Sequence, residues 1–408
     1  MRVQAASGLD AGGSAVFVNT SMQALARRAD PLSLDRSGRP RLTNLVSGVV
    51  SAQRTFGARD SAVLVASSPA SEHLRRLQNL NSSPGGTRRR PAKSVLSLSL
   101  PHLLIKPVMC EEAGKSMNRS ERPMGSPLKD LLARRAAVTV PGAANALFAR
   151  VVEDLGFEAV YITGAGIANM RLGVPDIGLT TMTEVGDTVA VIADAVAIPL
   201  IVDADTGYGN AVNMVRTVRA FERAGAAGIQ IEDQVFPKKC GHFAGKHVIE
   251  TQEMVQKIKA AVDARHDQSL QIIARTDARA IEGLDRALER ARAYIAAGAD
   301  VTFVEAPTGL EELARIPKEL SVPQVANIVF GGKTPDPGRE KLAELGFAIV
   351  LYANAVLQAA LKAAYDVLGV LKVEGSLTSV GDRFASFEER QRSVAKDMWD
   401  AHEARYRV

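Results

Sequence analysis

The 408-residue sequence is poor in cysteine and has no long apolar runs. Its 2 cysteines, Cys110 and Cys240, are too few for a disulfide framework and are typical of a reducing compartment. No apolar run approaches the roughly 18–20 residues that a membrane span requires. These absences exclude a disulfide-stabilised secreted protein and predict that the protein has no membrane partner.

Most of the chain also lacks a net positive charge. The formal net charge is +5, but residues 1–125 hold 18 of the 50 Lys and Arg residues and only 8 of the 45 Asp and Glu residues. Residues 126–408 are therefore mildly acidic, which argues against binding of polyanions by this part. We expect no nucleic-acid partner.

Residues 1–125 are rich in Ser, Arg, Gly and Pro and show no sustained period of 2 or 3.6 residues. Such a composition buries little apolar surface, so we predict a disordered basic extension. We expect a flexible appendage, or sequence upstream of the true start with Met109, Met117 and Met124 as candidate starts, and in either case a cytoplasmic protein. The alternatives are a transit peptide to a mitochondrion or plastid, and a nucleic-acid-binding tail supported only by the three arginines at 88–90.

From residue 126 onward, short β-branched runs alternate with segments of helical period. Eight predicted strands lie at 138–140, 159–162, 199–202, 228–231, 271–274, 301–304, 323–326 and 347–351. Predicted helices include 211–224, 251–264 and 284–297, and Gly225 and Gly298 lie where a helix C-cap glycine is expected. The alternation predicts an α/β fold, a (β/α)8 TIM-type barrel over 126–408, with a doubly wound open sheet as the alternative.

Polar side chains follow several of these strands, at the ends where barrel enzymes carry their chemistry. Asp203 and Asp205 follow the third strand, and the strand period of 2 predicts that they share one face. Glu232 ends the fourth strand, so three hard oxygen ligands favour Mg²⁺ or Mn²⁺ over zinc. Arg275 ends the fifth strand and is suited to clamp a substrate carboxylate. The alternatives are solvated acids or helix caps, and a structural ion pair for the arginine.

The stretch Lys238-Lys239-Cys240-Gly241-His242 places a thiol between cations. Lysine and protonated histidine stabilise a thiolate more than a thiol, so Cys240 is expected to exchange a proton near neutral pH. That property suits a general acid or base. The alternative is an exposed loop with an incidental thiol.

Seven segments occur in the order, and at the predicted strand ends, of one known superfamily. They are 161–166, 172–176, 203–210, 231–234, 237–242, 273–278 and 331–335. Together they resemble the isocitrate lyase/phosphoenolpyruvate mutase superfamily over nearly all of residues 126–400. The resemblance is closest to members named 2,3-dimethylmalate lyase, petal death protein and carboxyvinyl-carboxyphosphonate phosphonomutase.

The resemblance implies a Mg²⁺ site in which Mn²⁺ is a possible substitute. Asp203 would ligate the ion directly, while Asp205 and Glu232 would hold it largely through water. Asp176 would be a further acid of the metal shell.

The resemblance also implies catalytic and substrate-binding residues. Cys240 would be the acid/base group of a gating loop, with Lys238 and His242 tuning it and gripping the outer carboxylate of the substrate. The implied substrate-binding residues are Tyr161, Thr163, Gly164 and Ala165 at the keto-acid end, Arg275 as the carboxylate clamp, and Glu305, Asn327 and Thr334 at the second half. It further implies a homotetramer with the last helix exchanged between subunits, for which residues 353–373 and 384–406 are suited.

The implied reaction breaks the C2–C3 bond of a 2-hydroxy dicarboxylic acid. Phosphoenolpyruvate mutases of the family lack the loop cysteine, so Cys240 favours a carbon–carbon lyase over that reaction, whereas carboxyvinyl-carboxyphosphonate phosphonomutases share the cysteine. The expected substrate is an alkylmalate-type acid, such as 2,3-dimethylmalate or a methylisocitrate-like acid, cleaved to a 2-keto acid such as pyruvate and a carboxylic acid. Residues 243–246 differ from the continuation familiar in methylisocitrate lyases, which puts a tricarboxylic substrate in doubt.

Three alternatives remain at this point. Two are enzymes, a carboxyvinyl-carboxyphosphonate phosphonomutase and an oxaloacetate decarboxylase. The third is a catalytically silent barrel whose basic arm binds RNA, DNA or a membrane.

Overall fold

The computed structural model describes residues 126–239, 241 and 245–408, together with the backbone of two short antiparallel strands, Ala5–Leu9 and Ala15–Val18. The predictions for the rest of residues 1–125 lie outside the described residues, as do those for Cys240 and His242. The domain boundary at residue 126 therefore stays a prediction.

Eight parallel strands form one sheet. They are β1 (Val138–Ala143), β2 (Val160–Ile162), β3 (Leu200–Asp203), β4 (Gly228–Glu232), β5 (Gln271–Thr276), β6 (Val301–Val304), β7 (Val325–Asn327) and β8 (Ile349–Tyr352). Their order is β6-β5-β4-β3-β2-β1-β8-β7. A parallel bridge between Thr302 and Gln324 joins the two ends of this order. The sheet thus closes into the predicted (β/α)8 barrel, and the open doubly wound alternative is wrong.

Helices follow the strands around the barrel. They are α1 (Ser126–Ala133), α2 (Ala146–Asp154), α3 (Gly164–Ile167), α4 (Met182–Ala195), α5 (Ala211–Ala224), α6 (Thr251–Ala264), α7 (Arg279–Glu282), α8 (Leu284–Ala296), α9 (Leu310–Glu319), α10 (Arg339–Leu345), α11 (Ala355–Glu374), α12 (Phe387–Ser393) and α13 (Lys396–Tyr406). A π-helical turn, Ala168–Leu172, extends α3, and a 3₁₀ turn, Thr378–Arg383, precedes α12.

The sequence sets the helix ends through its capping residues. Thr181 and Glu184 form a capping box at the start of α4, and Asn210 caps α5 with its side-chain oxygen. Gly225 ends α5 with φ 109°, a left-handed conformation that favours glycine. The predicted helices 211–224 and 251–264 coincide with α5 and α6.

The barrel interior is filled with apolar side chains and closed at its N-terminal end. Ile201, Ile273 and Phe303 are buried inside it, and Leu128 and Leu132 of α1 pack into the same cluster. Burying a leucine side chain contributes about 1.5–3 kcal/mol, so α1 stabilises that end of the barrel. The opposite end, where the strands finish, is free to carry a polar site.

The C-terminal helices differ from the longer helices around the barrel. Neither α11, α12 nor α13 contains a buried residue. The predicted exchange of a last helix between subunits remains a prediction for this segment. Within the described ranges, no helix has the length and apolar character needed to cross a membrane.

Candidate active site

A pocket lies at the C-terminal ends of the strands. The predicted site residues that line it are Tyr161, Thr163, Ala165, Asp176, Asp203, Lys238, Arg275, Glu305 and Asn327. Three more, Gly164, Asp205 and Glu232, contact these lining residues from buried positions. Among the predicted site residues that the structure describes, Thr334 is the exception, because it lines a neighbouring cavity beside Phe330.

Asp203 and Asp205 lie together, but not for the predicted reason. The strand ends at Asp203, so strand alternation does not govern Asp205. Instead the Asp203 carboxylate accepts a hydrogen bond from the Asp205 backbone N–H at 3.1 Å, and Asp205 adopts a left-handed φ of 47°. Both carboxylates lie close to Gly164, where a Cβ would stand 3.0 Å from Asp203 Oδ2 and 3.3 Å from Asp205 Oδ1. A turn, rather than the strand, pairs the two acids.

Lys238 supplies a positive charge within this acidic cluster. Its ammonium lies 2.7 Å from Asp205 Oδ1 and forms an ion pair with Asp176. Burial opposes the charge, but Asp205, Glu232 and the other acids prevail and raise the pKa of Lys238 well above its usual value. Burial is also the main reason that the pKa of Asp205 is raised to about 6.

Arg275 is held in a buried ion pair and also lines the pocket. It makes a structural ion pair, because Nε lies 3.0 Å from Asp277 Oδ2 and Nη2 lies 3.1 Å from Asp277 Oδ1. It also lines the pocket, with Nη1 3.3 Å from Glu232 Oε2 and its guanidinium 5.2 Å from the centre of the Phe303 ring. Arg275 is therefore a cation fixed by one acid while it faces a polar cavity.

Glu232 is almost fully buried at the end of β4. Its Oε1 is buried without a hydrogen-bond partner. Burial outweighs the nearby Arg275 and raises the pKa of Glu232 well above its usual value. Among the described residues, no three His, Cys, Asp or Glu side chains are arranged as a ready metal-binding group. The Lys238 ammonium pairs with Asp176 and Asp205, and Arg275 pairs with Glu232.

The remaining predicted residues occupy two sides of the pocket. On one side, Thr163 caps α3, and the Gly164 N–H donates to Asp203 Oδ2 at 3.3 Å. Tyr161 is buried and donates to the Gln230 side chain. On the other side, the Asn327 amide lies 3.3 Å from both oxygens of Glu305.

Sequence reasoning assigned no role to three buried charged residues beside the pocket. They are Asp233, Lys246 and Asp277. Asp233 accepts hydrogen bonds from Thr276 Oγ1 at 2.7 Å and from the Asp277 N–H at 2.9 Å, and so anchors the end of β5. Asp277 lies in one of the seven segments that carry the family resemblance. Its contact with Lys246 joins residues that are distant in the sequence, so no local pattern predicts it.

Relatives of known activity match the barrel part of the chain. The family described as phosphoenolpyruvate phosphomutase matches residues 128–371. A 2,3-dimethylmalate lyase of Eubacterium barkeri is 47% identical over 262 residues, which is 64% of this chain and 91% of that protein. A 2-methylisocitrate lyase of Aeropyrum pernix is 46% identical, covering 64% and 84% of the two chains. The chloroplastic carboxyvinyl-carboxyphosphonate phosphorylmutase of Arabidopsis thaliana is 43% identical, covering 68% and 83%.

Solved structures agree with these relatives. A 2,3-dimethylmalate lyase described as a PEP mutase/isocitrate lyase superfamily member matches with TM-score 0.66 and 33% identity, covering 69% of this chain and 95% of that one. An oxaloacetate acetylhydrolase bound to 3,3-difluorooxalacetate matches with TM-score 0.66 and 32% identity, covering 69% and 96%. A phosphonopyruvate hydrolase bound to oxalate and Mg²⁺ matches with TM-score 0.63 and 30% identity, covering 69% and 99%. The chain therefore belongs to the phosphoenolpyruvate mutase/isocitrate lyase superfamily and is an enzyme of its lyase branch.

Proposed function

We propose that this enzyme is a Mg²⁺-dependent lyase that cleaves an alkylmalate-type 2-hydroxy dicarboxylic acid to a 2-keto acid, such as pyruvate, and a carboxylic acid. One observation carries the proposal: the buried acids at the ends of β3 and β4 and the guanidinium of Arg275 meet at one pocket, where Glu232 Oε2 lies 3.3 Å from Arg275 Nη1. Such a pocket offers carboxylates to a cation and a guanidinium to a substrate carboxylate. The similarity to a 2,3-dimethylmalate lyase favours an alkylmalate over other dicarboxylic acids.

The described residues fit a divalent cation. The negative charges of four carboxylates, those of Asp176, Asp203, Asp205 and Glu232, raise the pKa of the Lys238 ammonium. Carboxylate oxygens are the ligands that Mg²⁺ prefers, and Glu232 Oε1 is buried without a partner. Asp203, Asp205 and Glu232 would hold the ion, with Asp176 beside them. When bound, Mg²⁺ lowers the pKa of a coordinated hydroxyl group.

The protein's own residues would orient the substrate between the acidic cluster and Arg275. Arg275 offers a guanidinium to one carboxylate, in a pocket where burial strengthens the ion pair. Thr163 and the backbone N–H of Ala165 would face the keto-acid end, and Tyr161 forms part of the wall. Asn327 and Glu305 would contact the second half of the substrate.

Bond cleavage needs a proton donor as well as a metal-binding site. The proton of the C2 hydroxyl passes to solvent water, the C2 carbonyl forms as the C2–C3 bond breaks, and the electron pair remains on C3 of the leaving acid. We assign the proton that C3 then takes up to the thiol of Cys240, with Lys238 and His242 favouring the thiolate that remains. The roles of Cys240 and His242 rest on the sequence resemblance.

A substrate panel tests the proposal. The purified protein is incubated with Mg²⁺ and, separately, with 2,3-dimethylmalate, 2-methylisocitrate, oxaloacetate and a carboxyphosphonate, and the products are separated and identified by chromatography. We expect turnover of 2,3-dimethylmalate to be fastest and to stop when the metal is chelated. Turnover of the phosphorus compound alone would instead identify the phosphonomutase, to whose chloroplastic relative the chain is also similar. Loss of carbon dioxide from oxaloacetate alone would identify a decarboxylase.

A further inference from the structure

Lys246 is a buried lysine at the edge of the active-site pocket. Its side chain is 2% exposed, and its ammonium lies 2.5 Å from Asp277 Oδ1. The same ammonium donates a hydrogen bond to the backbone carbonyl of Gly241, which lines the pocket. A buried charge with two such partners is held at a defined position, because losing either partner leaves it uncompensated.

Asp277 is shared between this lysine and the predicted substrate clamp. Its Oδ1, the atom that Lys246 contacts, also accepts from Arg275 Nη2 at 3.1 Å. Burial raises the pKa of Asp277, but Arg275 and Lys246 together outweigh burial and hold it below its usual value. Since one carboxylate serves two cations, removal of Lys246 would let Asp277 draw Arg275 more strongly to itself.

Gly241 links Lys246 to the pocket by a second route. A Cβ at this position would lie 2.4 Å from Arg275 Nη2 and 2.3 Å from Glu305 Oε1. The backbone of Gly241 therefore rests directly on these two side chains, an approach that only glycine permits. The Lys246 ammonium holds the carbonyl of this same residue.

The backbone next to Lys246 is fixed to the end of β4. The Val235 N–H donates to the His247 carbonyl at 2.9 Å, and the Ile249 N–H donates to the Asp233 carbonyl at 2.8 Å. Gln234 and Val248 form an antiparallel bridge between these hydrogen bonds. Lys246 is thus placed by a short ladder that belongs to the barrel.

We propose that Lys246 is a positioning residue of the active site, which seats Gly241 against Arg275 and Glu305 and shares Asp277 with Arg275 so that the guanidinium stays directed at the substrate carboxylate. This inference rests on the proposed function, because the role of Arg275 as a carboxylate clamp belongs to it.

The variant Lys246→Met tests the inference, since it removes the ammonium and keeps an unbranched side chain. We expect kcat/KM to fall about 10–100-fold, mainly through a higher KM, as is usual when a group that orients an active-site residue is lost. The affinity for oxalate in the presence of Mg²⁺, measured by calorimetry, should fall by a similar factor. Lys259→Met, which removes an exposed lysine from α6, is the matched control and should change neither quantity.

Gly241→Ala provides a second test that leaves the ammonium in place. Its added methyl group displaces the backbone from Arg275 and Glu305, so KM should rise in this variant too. Wild-type KM and oxalate affinity in a folded Lys246→Met protein would overturn the inference. Loss of the folded far-UV spectrum in both variants would also overturn it, because Lys246 would then be a structural residue only. If the wild type cleaves no dicarboxylic acid but binds Mg²⁺ and oxalate more tightly than Lys246→Met, the proposed function fails and the positioning role stands.

Discussion

Burial sets the proton affinity of Asp205, and with it the pH at which the acidic cluster can bind a metal. The pKa of Asp205 is raised to about 6, mainly by burial, although the Lys238 ammonium acts in the opposite direction. An acid with a raised pKa keeps its proton in the folded protein at a pH where the unfolded chain has lost it. Stability from this group is therefore present at low pH and is lost as the pH rises through about 6.

A bound metal must displace that proton, so we predict that Mg²⁺ affinity rises as the pH increases through about 6. Calorimetric titrations with Mg²⁺ over the range from about pH 5 to about pH 8 measure this. Asp205→Asn should bind Mg²⁺ weakly and without the rise near pH 6. The control Asp187→Asn changes an exposed acid of α4 and should keep the wild-type profile. A pH-independent affinity in the wild type would contradict the prediction.

The proposed role of Cys240 as proton donor can be tested by substitution. Serine at this position keeps the size of the side chain but is a far weaker acid than a thiol. We expect Cys240→Ser to retain Mg²⁺ and oxalate binding while turnover falls by roughly 10²–10⁴-fold, the range typical of a lost acid or base. Cys110→Ser is the matched control and should be fully active. Near-normal turnover of Cys240→Ser would remove the thiol from the mechanism.

At the scale of elements, features with a local physical cause were predictable and those with a long-range cause were not. Strand positions followed from β-branched runs, and the end of α5 followed from Gly225. The pairing of Asp203 with Asp205 was predicted for the wrong reason, because a side-chain hydrogen bond forms the turn beyond β3. The contact between Lys246 and Asp277 joins residues 31 positions apart and leaves no periodic pattern in the sequence.

The helix α1 offers a test of how independent the two ends of the barrel are. Leu128 is fully buried and packs against the start of β4, where its Cδ2 lies 2.8 Å from the position of a Cβ at Gly228. Leu128→Ala should lower the free energy of unfolding by about 2–5 kcal/mol, the usual cost of such a cavity. KM should stay unchanged, because the site lies at the other end of the strands. Urea unfolding and steady-state kinetics measure the two quantities, and Leu155→Ala, at an exposed leucine, is the control. A raised KM would show that the ends are coupled.

At the scale of the whole molecule, the described C-terminal helices leave an apolar stripe uncovered. Leu361, Tyr365 and Leu368 lie on α11 at spacings of four and three residues, which places them on one helical face. They are 56%, 73% and 60% exposed. A row of exposed large apolar side chains on a 20-residue helix is typical of an interface between protein chains. It agrees with the homotetramer that the sequence resemblance implies.

We therefore predict that the protein forms a homo-oligomer through α11. Each buried leucine contributes about 1.5–3 kcal/mol to association, so placing two carboxylates in the stripe should abolish it. The double variant Leu361→Asp/Leu368→Asp should give a smaller species than the wild type in size-exclusion chromatography with light scattering. Val212→Asp, which charges an isolated exposed position on α5, should elute as the wild type does. A wild-type monomer, or a double variant that keeps the wild-type mass, would rule out α11 as the interface.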